Sequence, residues 1–279
     1  MIGQRNLRER IDNMIQNQCF PRFMIITGEP GSGKKTLVNY ITSQLGDATC
    51  KLEDNKIADV REMIKQSYDN VYTISFVLAD ADDMSSAAQN ALLKIVEEPP
   101  KNTYYIMTLQ DINNTLPTIK SRAYVLRMQP YTKGQITEYL YQMYEEENEL
   151  YADICTTPGE VNALHSIGID KFVDFVEKVV DNLGTVSTGN LLKVGQSIKL
   201  TSSENDTGYD LNLFLNTFMW QCFQYRNDTM YLQMLINTSH RMQKLQIKGV
   251  NKQMWFNDWI LRMREIYGAH RTKKQNKDK

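Results

Sequence analysis

The sequence predicts an α/β fold in which a parallel β-sheet is covered by helices on both faces, followed by helical regions alone. Apolar runs at residues 23–26, 73–79 and 103–108 have the length of buried strands and alternate with amphipathic segments, which is typical of a parallel sheet. A glycine-rich turn leads from the first run into a helix. Beyond residue 130 helical periodicity continues without a convincing strand, so the C-terminal half is expected to be all-α.

The composition is that of an ordinary globular protein and argues against several classes. Of 279 residues, 42% are hydrophobic and 23% are charged, and the formal net charge is −1, so contact with DNA requires a local basic patch. The four cysteines and three histidines are scattered, which predicts neither a disulfide framework nor a zinc site. No apolar run is long enough to span a bilayer, so we expect no membrane partner and a cytoplasmic location.

Helices and strands are expected to alternate through the first 129 residues. Leu7, Ile11 and Ile15 recur at helical spacing before the first strand, which indicates an amphipathic helix. The further segments expected here are helices at 34–45, 57–64, 86–98 and 116–121 and strands at 73–79, 103–108 and 123–128. This alternation predicts one α/β domain over residues 1–129.

Capping signals mark helix starts in the second half. Thr132 with Gln135 has the spacing of a capping box, and Thr157 with Glu160 repeats it. Three longer helices are expected to begin near residues 211, 229 and 252, after a polar stretch at 201–208. The domains expected are a small helical domain at 130–184, a larger helical domain at 185–270 and a frayed basic tail at 271–279.

The glycine-rich turn has the spacing of a phosphate-binding P-loop. Glycines let backbone N–H groups converge on phosphate oxygens, and the helix that follows adds the partial positive charge of its N-terminus. Lys34 has the reach to contact the β- and γ-phosphates. The candidate nucleotide-binding residues of this loop are Gly28, Gly31, Ser32, Gly33, Lys34, Lys35 and Thr36.

One position departs from the P-loop pattern. Lys35 stands where a Ser or Thr hydroxyl binds Mg²⁺ in such loops. Thr36 comes one residue late, and one helical residue is a rotation of about 100°, so its hydroxyl is expected to point elsewhere. ATP or ADP is therefore a possible ligand, with Mg²⁺ poorly held. Whether the loop hydrolyses ATP, only binds it or does neither stays open.

Asp80 is the second candidate for nucleotide chemistry. In P-loop ATPases a strand next to the P-loop strand ends in an Asp that holds Mg²⁺, and in ring-forming members a Glu beside it activates water. If Asp80 is the metal residue, Ala81 stands at the base position; if Asp80 is the base, Ala79 stands at the metal position. In either alignment, one of the two carboxylates is missing. The alternative is that Asp80, Asp82 and Asp83 form a solvated turn.

Two segments carry a resemblance to a known family. Residues 90–100 read NALLKIVEEPP, and residues 116–123 read LPTIKSRA; together they resemble the signature of AAA+ clamp-loader subunits, the DNA polymerase III delta-prime and gamma family. Residues 2–4 and 57–64 are also similar to segments of that family. The resemblance covers roughly residues 1–165. It implies a P-loop AAA+ domain, then a helical lid and an all-α C-terminal collar that holds subunits in a ring.

Within this family the chain resembles the delta-prime type, which does not hydrolyse ATP. The metal-binding Asp of the gamma type aligns with Ala79, and Lys35 replaces the metal-binding hydroxyl. Residues 159–164 contain no arginine where the family's lid supplies one. The family's zinc module is missing as well. Its absence and the short chain suggest a phage or mobile-element origin.

Arg122 is expected to act on a neighbouring subunit. It matches the arginine of the family's Ser-Arg-Cys motif, which enters the ATP site next door, and Ala123 replaces the cysteine. Such an arginine finger in trans stabilises transition-state charge. The alternative is a surface arginine that caps the short helix before it.

The resemblance thus implies a clamp-loader subunit that supports sliding-clamp loading, with other loader subunits, the clamp and primed DNA as partners. The alternative is an active AAA+ ATPase in another replication role, such as a helicase loader. A remnant that binds no nucleotide is a third possibility. Five aromatic residues are candidates for core or collar contacts: Phe214, Phe218, Trp220, Trp255 and Trp259.

Overall fold

A computed structural model describes residues 2–46, 48–52, 54–199, 209–225, 228–245 and 250–275. The chain forms two compact units. One comprises Met1–Tyr139 and Thr157–Gly159, and the other comprises Leu140–Thr156 and Glu160–Lys279. The predicted division of the helical half near residue 184 stays a prediction.

The first unit is an α/β domain with alternating elements. In chain order they are α1 (Arg5–Gln16), β1 (Phe23–Thr27), α2 (Lys34–Leu45), β2 (Ala48–Lys51), α3 (Ile57–Asp69), β3 (Ile74–Leu78), α4 (Ser86–Glu97), β4 (Thr103–Leu109), α5 (Pro117–Lys120), β5 (Tyr124–Arg127) and α6 (Lys133–Tyr144). The five strands are parallel and lie in the order β2-β3-β4-β1-β5. This architecture confirms the predicted α/β fold.

Both faces of the sheet are buried, because side chains alternate along each strand. In β1, Phe23 and Ile25 contribute to one apolar cluster, and Met24 and Ile26 contribute to the other. Residues of α3 and α4 complete the first cluster, and residues of α1 and α2 complete the second. The uniformly apolar strands therefore reflect a sheet with helices on both faces.

Strand β2 was not expected from the sequence. It has no fully buried side chain, so the apolar pattern that marks a central strand is missing. Its place at the edge of the sheet is defined by backbone pairing with β3, where Cys50 lies opposite Phe76. An edge strand needs only one hydrogen-bonded neighbour, and polar composition there is common.

The first capping box is confirmed at the start of α6. The Thr132 N–H donates to Gln135 Oε1 over 3.0 Å, and the Gln135 N–H donates to Thr132 Oγ1 over 3.3 Å. At the start of the second predicted helix, Glu160 Oε2 accepts from the backbone N–H and the hydroxyl of Thr156, at 2.6 and 2.9 Å. The acid therefore also anchors the residue before the predicted box.

The second unit is mainly helical. Its further elements are α7 (Glu149–Ile154), α8 (Pro158–Ile167), α9 (Ile169–Asp181), α10 (Thr188–Lys193), β6 (Ile198–Lys199), β7 (Tyr209–Asp210), α11 (Leu211–Tyr225), α12 (Asp228–Leu245) and α13 (Lys252–Gln275). The last three start where periodicity predicted them, within one residue. The two-residue strands β6 and β7 pair in parallel and correct the prediction of helices alone. Such short strands carry too little pattern to be read from sequence.

Two predicted segments fall wholly or partly outside the described residues. The polar stretch at 201–208 lies outside them altogether, as do residues 276–279 of the basic tail. The backbone of residues 271–275 belongs to α13, so helix continues into the region predicted to fray. Within the described ranges, no helix combines the length and apolar composition needed to cross a bilayer.

Four of the five candidate aromatics lie in the core of the second unit. Phe214, Phe218 and Trp259 are fully buried, Trp255 is nearly so, and Trp220 is partly exposed. The Phe218 and Trp259 rings meet edge to face with centroids 5.0 Å apart. These four rings therefore stabilise the helical unit itself.

Thr238 supplies the polar partner that this core requires. Its hydroxyl accepts a 2.9 Å hydrogen bond from Trp259 Nε1 and donates a 2.8 Å bond to the Met234 carbonyl. Thr238 is buried. The hydrogen bond connects α12 to α13. It also satisfies the indole N–H of Trp259, which would cost free energy if it were buried without a partner.

We expect Thr238→Val to destabilise the second unit by about 1–3 kcal/mol, because it leaves the indole N–H unpaired. Thr238→Ser keeps the hydroxyl and should cost only about 0.8 kcal/mol for the lost methyl group. All three tryptophans lie on α11 and α13, so urea unfolding followed by tryptophan fluorescence reports this unit. A valine variant as stable as the wild type would contradict the assignment.

Candidate functional site

The P-loop connects β1 to α2, as the sequence predicts. A side chain at Gly28 has no room, because its Cβ would lie 2.7 Å from Met128 Cβ. Gly33 caps α2 with φ of 91°, a left-handed conformation that favours glycine. The loop backbone therefore requires glycine at these two positions, for space at the first and for conformation at the second.

Lys34 lies across the loop. Its ammonium donates to the Gly28 carbonyl over 2.6 Å and to the Glu29 carbonyl over 3.0 Å. Burial lowers the pKa of the Lys34 ammonium, and the carboxylates of Asp80 and Asp82 act in the opposite direction. The cation is thus held at the loop, where a phosphate group would compete for it.

Ser32 is an unsatisfied polar group within the loop. Its side chain is buried, and its hydroxyl has no hydrogen-bond partner among the described residues. The oxygen lies 2.9 Å from the position of a Cβ on Gly28, so it faces the inside of the turn. A buried hydroxyl without a partner costs free energy, and an anionic oxygen bound in the loop could satisfy it. The loop residues therefore fit a nucleotide phosphate.

Lys35 and Asp80 meet as an ion pair. The Lys35 ammonium lies 3.3 Å from Asp80 Oδ2, with the two side chains 77% and 54% exposed. Thr36, the next residue, is exposed on α2. The structure therefore places a cation, and not a hydroxyl, beside the Asp80 carboxylate. Among the described residues no group of three acidic, histidine or cysteine side chains could hold a metal ion.

The turn after β3 holds Asp80 in a defined position. Asp80 has φ of 48°, and its N–H donates to the Thr108 hydroxyl over 2.8 Å. Thr108 is buried on β4. Because β4 lies between β3 and β1, the expectation that Asp80 ends a strand next to the P-loop strand is wrong. Thr108 was missed, although a polar residue at the end of an apolar run was its signal.

The two other acids of this turn differ in role. The Asp82 carboxylate accepts from the backbone N–H of Gln110 at 2.8 Å and of Asp111 at 3.1 Å. It also accepts from the Asn114 side-chain amide at 3.0 Å. Asp83 is exposed. Asp82 therefore fixes the turn to the end of β4, whereas the side chains of Asp80 and Asp83 are exposed, as the solvated alternative expects.

Arg122 follows α5 and is about half exposed. Its guanidinium lies 3.2 Å from Glu97 Oε1, and Nη1 donates to the Thr118 carbonyl over 3.1 Å and to Ser121 Oγ over 3.4 Å. The contact with Thr118 is the helix-capping interaction that sequence reasoning kept as an alternative. Each of these contacts is exposed to solvent, so exchanging them for another anionic partner costs little.

Gln89 positions the start of α5. Its side-chain amide donates to the Asn114 carbonyl over 2.9 Å and to the Met84 carbonyl over 3.2 Å, while Oε1 accepts the Leu116 N–H over 2.8 Å. Gln89 is buried on α4. Sequence reasoning missed it, although it directly precedes the motif at residues 90–100. The helix that precedes Arg122 is therefore anchored by hydrogen bonds to a buried side chain.

The N-terminal segment packs beside the P-loop. Gln4 forms a reciprocal pair with the Gln129 backbone, at 2.7 and 3.0 Å. A Cβ on Gly3 would lie 2.6 Å from the Tyr131 ring, and the Tyr131 hydroxyl donates to the Ser32 carbonyl over 2.8 Å. Residues 2–4 are therefore connected to the P-loop through Tyr131.

Gly159 covers the P-loop from the other side. Its N–H donates to the Gly31 carbonyl over 3.0 Å, and a Cβ on Gly159 would lie 2.4 Å from Gly31 Cα. Gly31 itself has φ of 74°. Two backbone segments thus touch at a point where neither tolerates a side chain, a contact that sequence spacing does not indicate.

Comparisons with known proteins identify the same family that the sequence motifs resemble. A family profile described as DNA polymerase III, delta subunit, matches residues 55–132, which include Asp80 and Arg122. The resemblance to AAA+ clamp-loader subunits is confirmed. Among curated relatives, a probable replication factor C subunit 5 of Dictyostelium discoideum is 26% identical over 163 residues, and replication factor C subunit 3 of Schizosaccharomyces pombe is 28% identical over 163 residues.

Each of these matches covers 53% of this chain and 47% of the relative, so the chain spans about half the length of the curated relatives it matches. Among solved structures, a RuvB mutant of Thermotoga maritima superposes with a TM-score of 0.51 at 14% identity, covering 68% of this chain and 82% of that one. That likeness supports the predicted fold, a P-loop α/β domain followed by helices, and no more.

We expect Gly159→Ala to destabilise the first unit, because the new Cβ collides with the Gly31 backbone. Intrinsic helix propensity alone would favour alanine by about 1 kcal/mol. Gly134→Ala is the matched control: it also lies near a helix start, with no atom within 4 Å of its Cβ position. Thermal unfolding, with amide hydrogen exchange of residues 28–36, measures the effect. Equal melting and equal exchange in the two variants would refute the contact.

Proposed function

We propose that this chain is a clamp-loader subunit of delta-prime type in DNA replication. It would assemble in a ring with other loader subunits and support loading of a sliding clamp on primed DNA. The observation that carries this proposal is Arg122: it lies in the segment matched by the family profile, two residues after the anchored helix α5, with its guanidinium about half exposed. A phage or mobile-element origin and a cytoplasmic site of action remain predictions.

The proposal assigns hydrolysis to a neighbouring subunit. Hydrolysis at a P-loop generally uses a metal ion held by a hydroxyl and a carboxylate. Here the hydroxyl position is Lys35, and Ala79 stands where the family's metal-binding Asp falls. The remaining carboxylate, Asp80, is paired with the Lys35 ammonium. We therefore infer that the chain binds ATP or ADP at Gly28–Thr36 without turning it over.

Arg122 is proposed to contribute to catalysis in trans. Its present partner, Glu97, is a single exposed carboxylate at 3.2 Å, whereas a nucleotide γ-phosphate carries more negative charge and accepts bidentate bonds from a guanidinium. When a neighbouring subunit docks, the Arg122 guanidinium would exchange Glu97 for the γ-phosphate of the neighbour's nucleotide. The buried Gln89 contacts keep α5 in place during this exchange, so the arginine reaches outward from a rigid base.

We expect Arg122→Ala to lower the ATPase rate of the assembled ring by a factor on the order of 10³, because an arginine finger stabilises transition-state charge. Lys120→Ala, at the end of α5 and two residues before Arg122, is the matched control and should leave the rate unchanged, since the Lys120 ammonium donates an exposed hydrogen bond to the Asn113 side chain. The assay uses the full chain with subunits that co-purify with it, and size-exclusion chromatography checks assembly. An unchanged rate with intact assembly would exclude the trans role.

We expect the purified chain alone to show no ATP turnover above that of Lys34→Ala. This comparison separates the proposal from an active ATPase such as a helicase loader, in which Asp80 would hold the metal without a P-loop hydroxyl. Phosphate release is the measurement. Wild-type turnover that disappears in Lys34→Ala would favour the active enzyme.

A further inference from the structure

The P-loop site contains an ion pair, Lys35 with Asp80, at the position where other P-loops bind Mg²⁺. This ion requires close oxygen ligands in octahedral geometry. The position that supplies a hydroxyl in other P-loops supplies the Lys35 ammonium here, 3.3 Å from Asp80 Oδ2. A divalent cation at Asp80 would therefore have a fixed positive charge as its neighbour. The donor set of this chain does not fit the metal.

The phosphate-binding part of the site is nevertheless retained. The Ser32 hydroxyl is buried without a partner, and a Cβ cannot be placed at Gly28. The Lys34 ammonium donates to two loop carbonyls, and a bound phosphate would replace these carbonyls as its hydrogen-bond acceptor. Because the loop still fits a phosphate but the metal ligands are missing, another positive charge must balance the phosphates of a bound nucleotide.

We propose that this site binds a metal-free nucleoside diphosphate or triphosphate, with the Lys35 ammonium as the fixed counter-charge of the phosphates. The inference rests on the proposed nucleotide binding at the P-loop and goes further in naming the form of the ligand. Lys35 is the second residue of α2, next to Lys34, so its flexible side chain starts at the helix end that faces a bound phosphate.

The Lys35–Asp80 pair is suited to such an exchange. Both side chains are largely exposed, and exposed ion pairs contribute little to stability. Asp80 is held in place by the Thr108 hydroxyl, whereas the lysine side chain is free to rotate about its four-carbon stem. Asp80 therefore competes with phosphate for Lys35 and does not act as a metal ligand.

The test is equilibrium binding of fluorescent ADP and ATP to the full chain, once with millimolar Mg²⁺ and once with excess EDTA. We expect equal affinities in the two buffers. Lys35→Thr, which restores a hydroxyl, should lose about tenfold in affinity in EDTA, the value of one charge-assisted contact, and should regain it with Mg²⁺. Lys35→Arg should stay independent of Mg²⁺. Lys65→Thr, an exposed lysine on α3, is the matched control and should behave as the wild type.

Asp80→Asn provides a second, opposite readout. If Asp80 competes for Lys35, removing its charge should strengthen nucleotide binding in EDTA and leave no Mg²⁺ dependence. If Asp80 is a metal ligand, the same change should weaken binding in Mg²⁺ buffer, and that result would overturn the inference. Circular dichroism verifies that each variant is folded.

Two further outcomes would also overturn it. If the wild type binds nucleotide only with Mg²⁺, Lys35 is not the counter-charge of the phosphates. If it binds nucleotide in neither buffer, the site is not a nucleotide site. Neither result decides whether the chain is a clamp-loader subunit, because the Arg122→Ala experiment measures a neighbour's ATPase. The two proposals can therefore fail independently.

Discussion

The carboxyl end of β4 is the constraint on which the candidate site depends. The Leu109 carbonyl accepts the Gly28 N–H at 3.2 Å, and the Thr108 hydroxyl accepts the Asp80 N–H. The Gln110 N–H binds the Asp82 carboxylate. Because β4 pairs with both β1 and β3, one strand end holds the P-loop and the acidic turn together. Chain segments that are distant in sequence thus form one site.

Burial separates two adjacent lysines into different roles. Successive helical residues differ by about 100° in direction, so Lys34 lies buried across the loop carbonyls while Lys35 projects to Asp80. A buried ammonium with a lowered pKa is costly to keep without partners, and the loop carbonyls supply them. The exposed ammonium has no such cost and is free to change partner. Two residues of the same type therefore act differently, because one ammonium is buried in the loop and the other is exposed.

Much of the fold followed from sequence pattern. The strands β1, β3 and β4 are apolar runs because both of their faces are covered, whereas the exposed β2 carries no such signal. The resemblance of residues 116–123 to clamp-loader subunits singled out Arg122, and spacing within one segment identified the P-loop. It did not identify Thr108 or Gln89, since each acts through hydrogen bonds to residues in other elements. Strand order was equally inaccessible, because crossover connections and not chain order determine it.

The sequence by itself determined the strand–loop–helix unit at Gly28, the place of Lys35 in it and the two segments that resemble clamp-loader subunits. Local spacing specifies the first two, because glycine conformation and helical periodicity act over a few residues, and the two segments are informative through their resemblance alone. Only the tertiary structure decided that Lys35 meets Asp80 and that Gly159 lies on Gly31. Those contacts join distant segments, and packing of the whole sheet and its helices sets their distances.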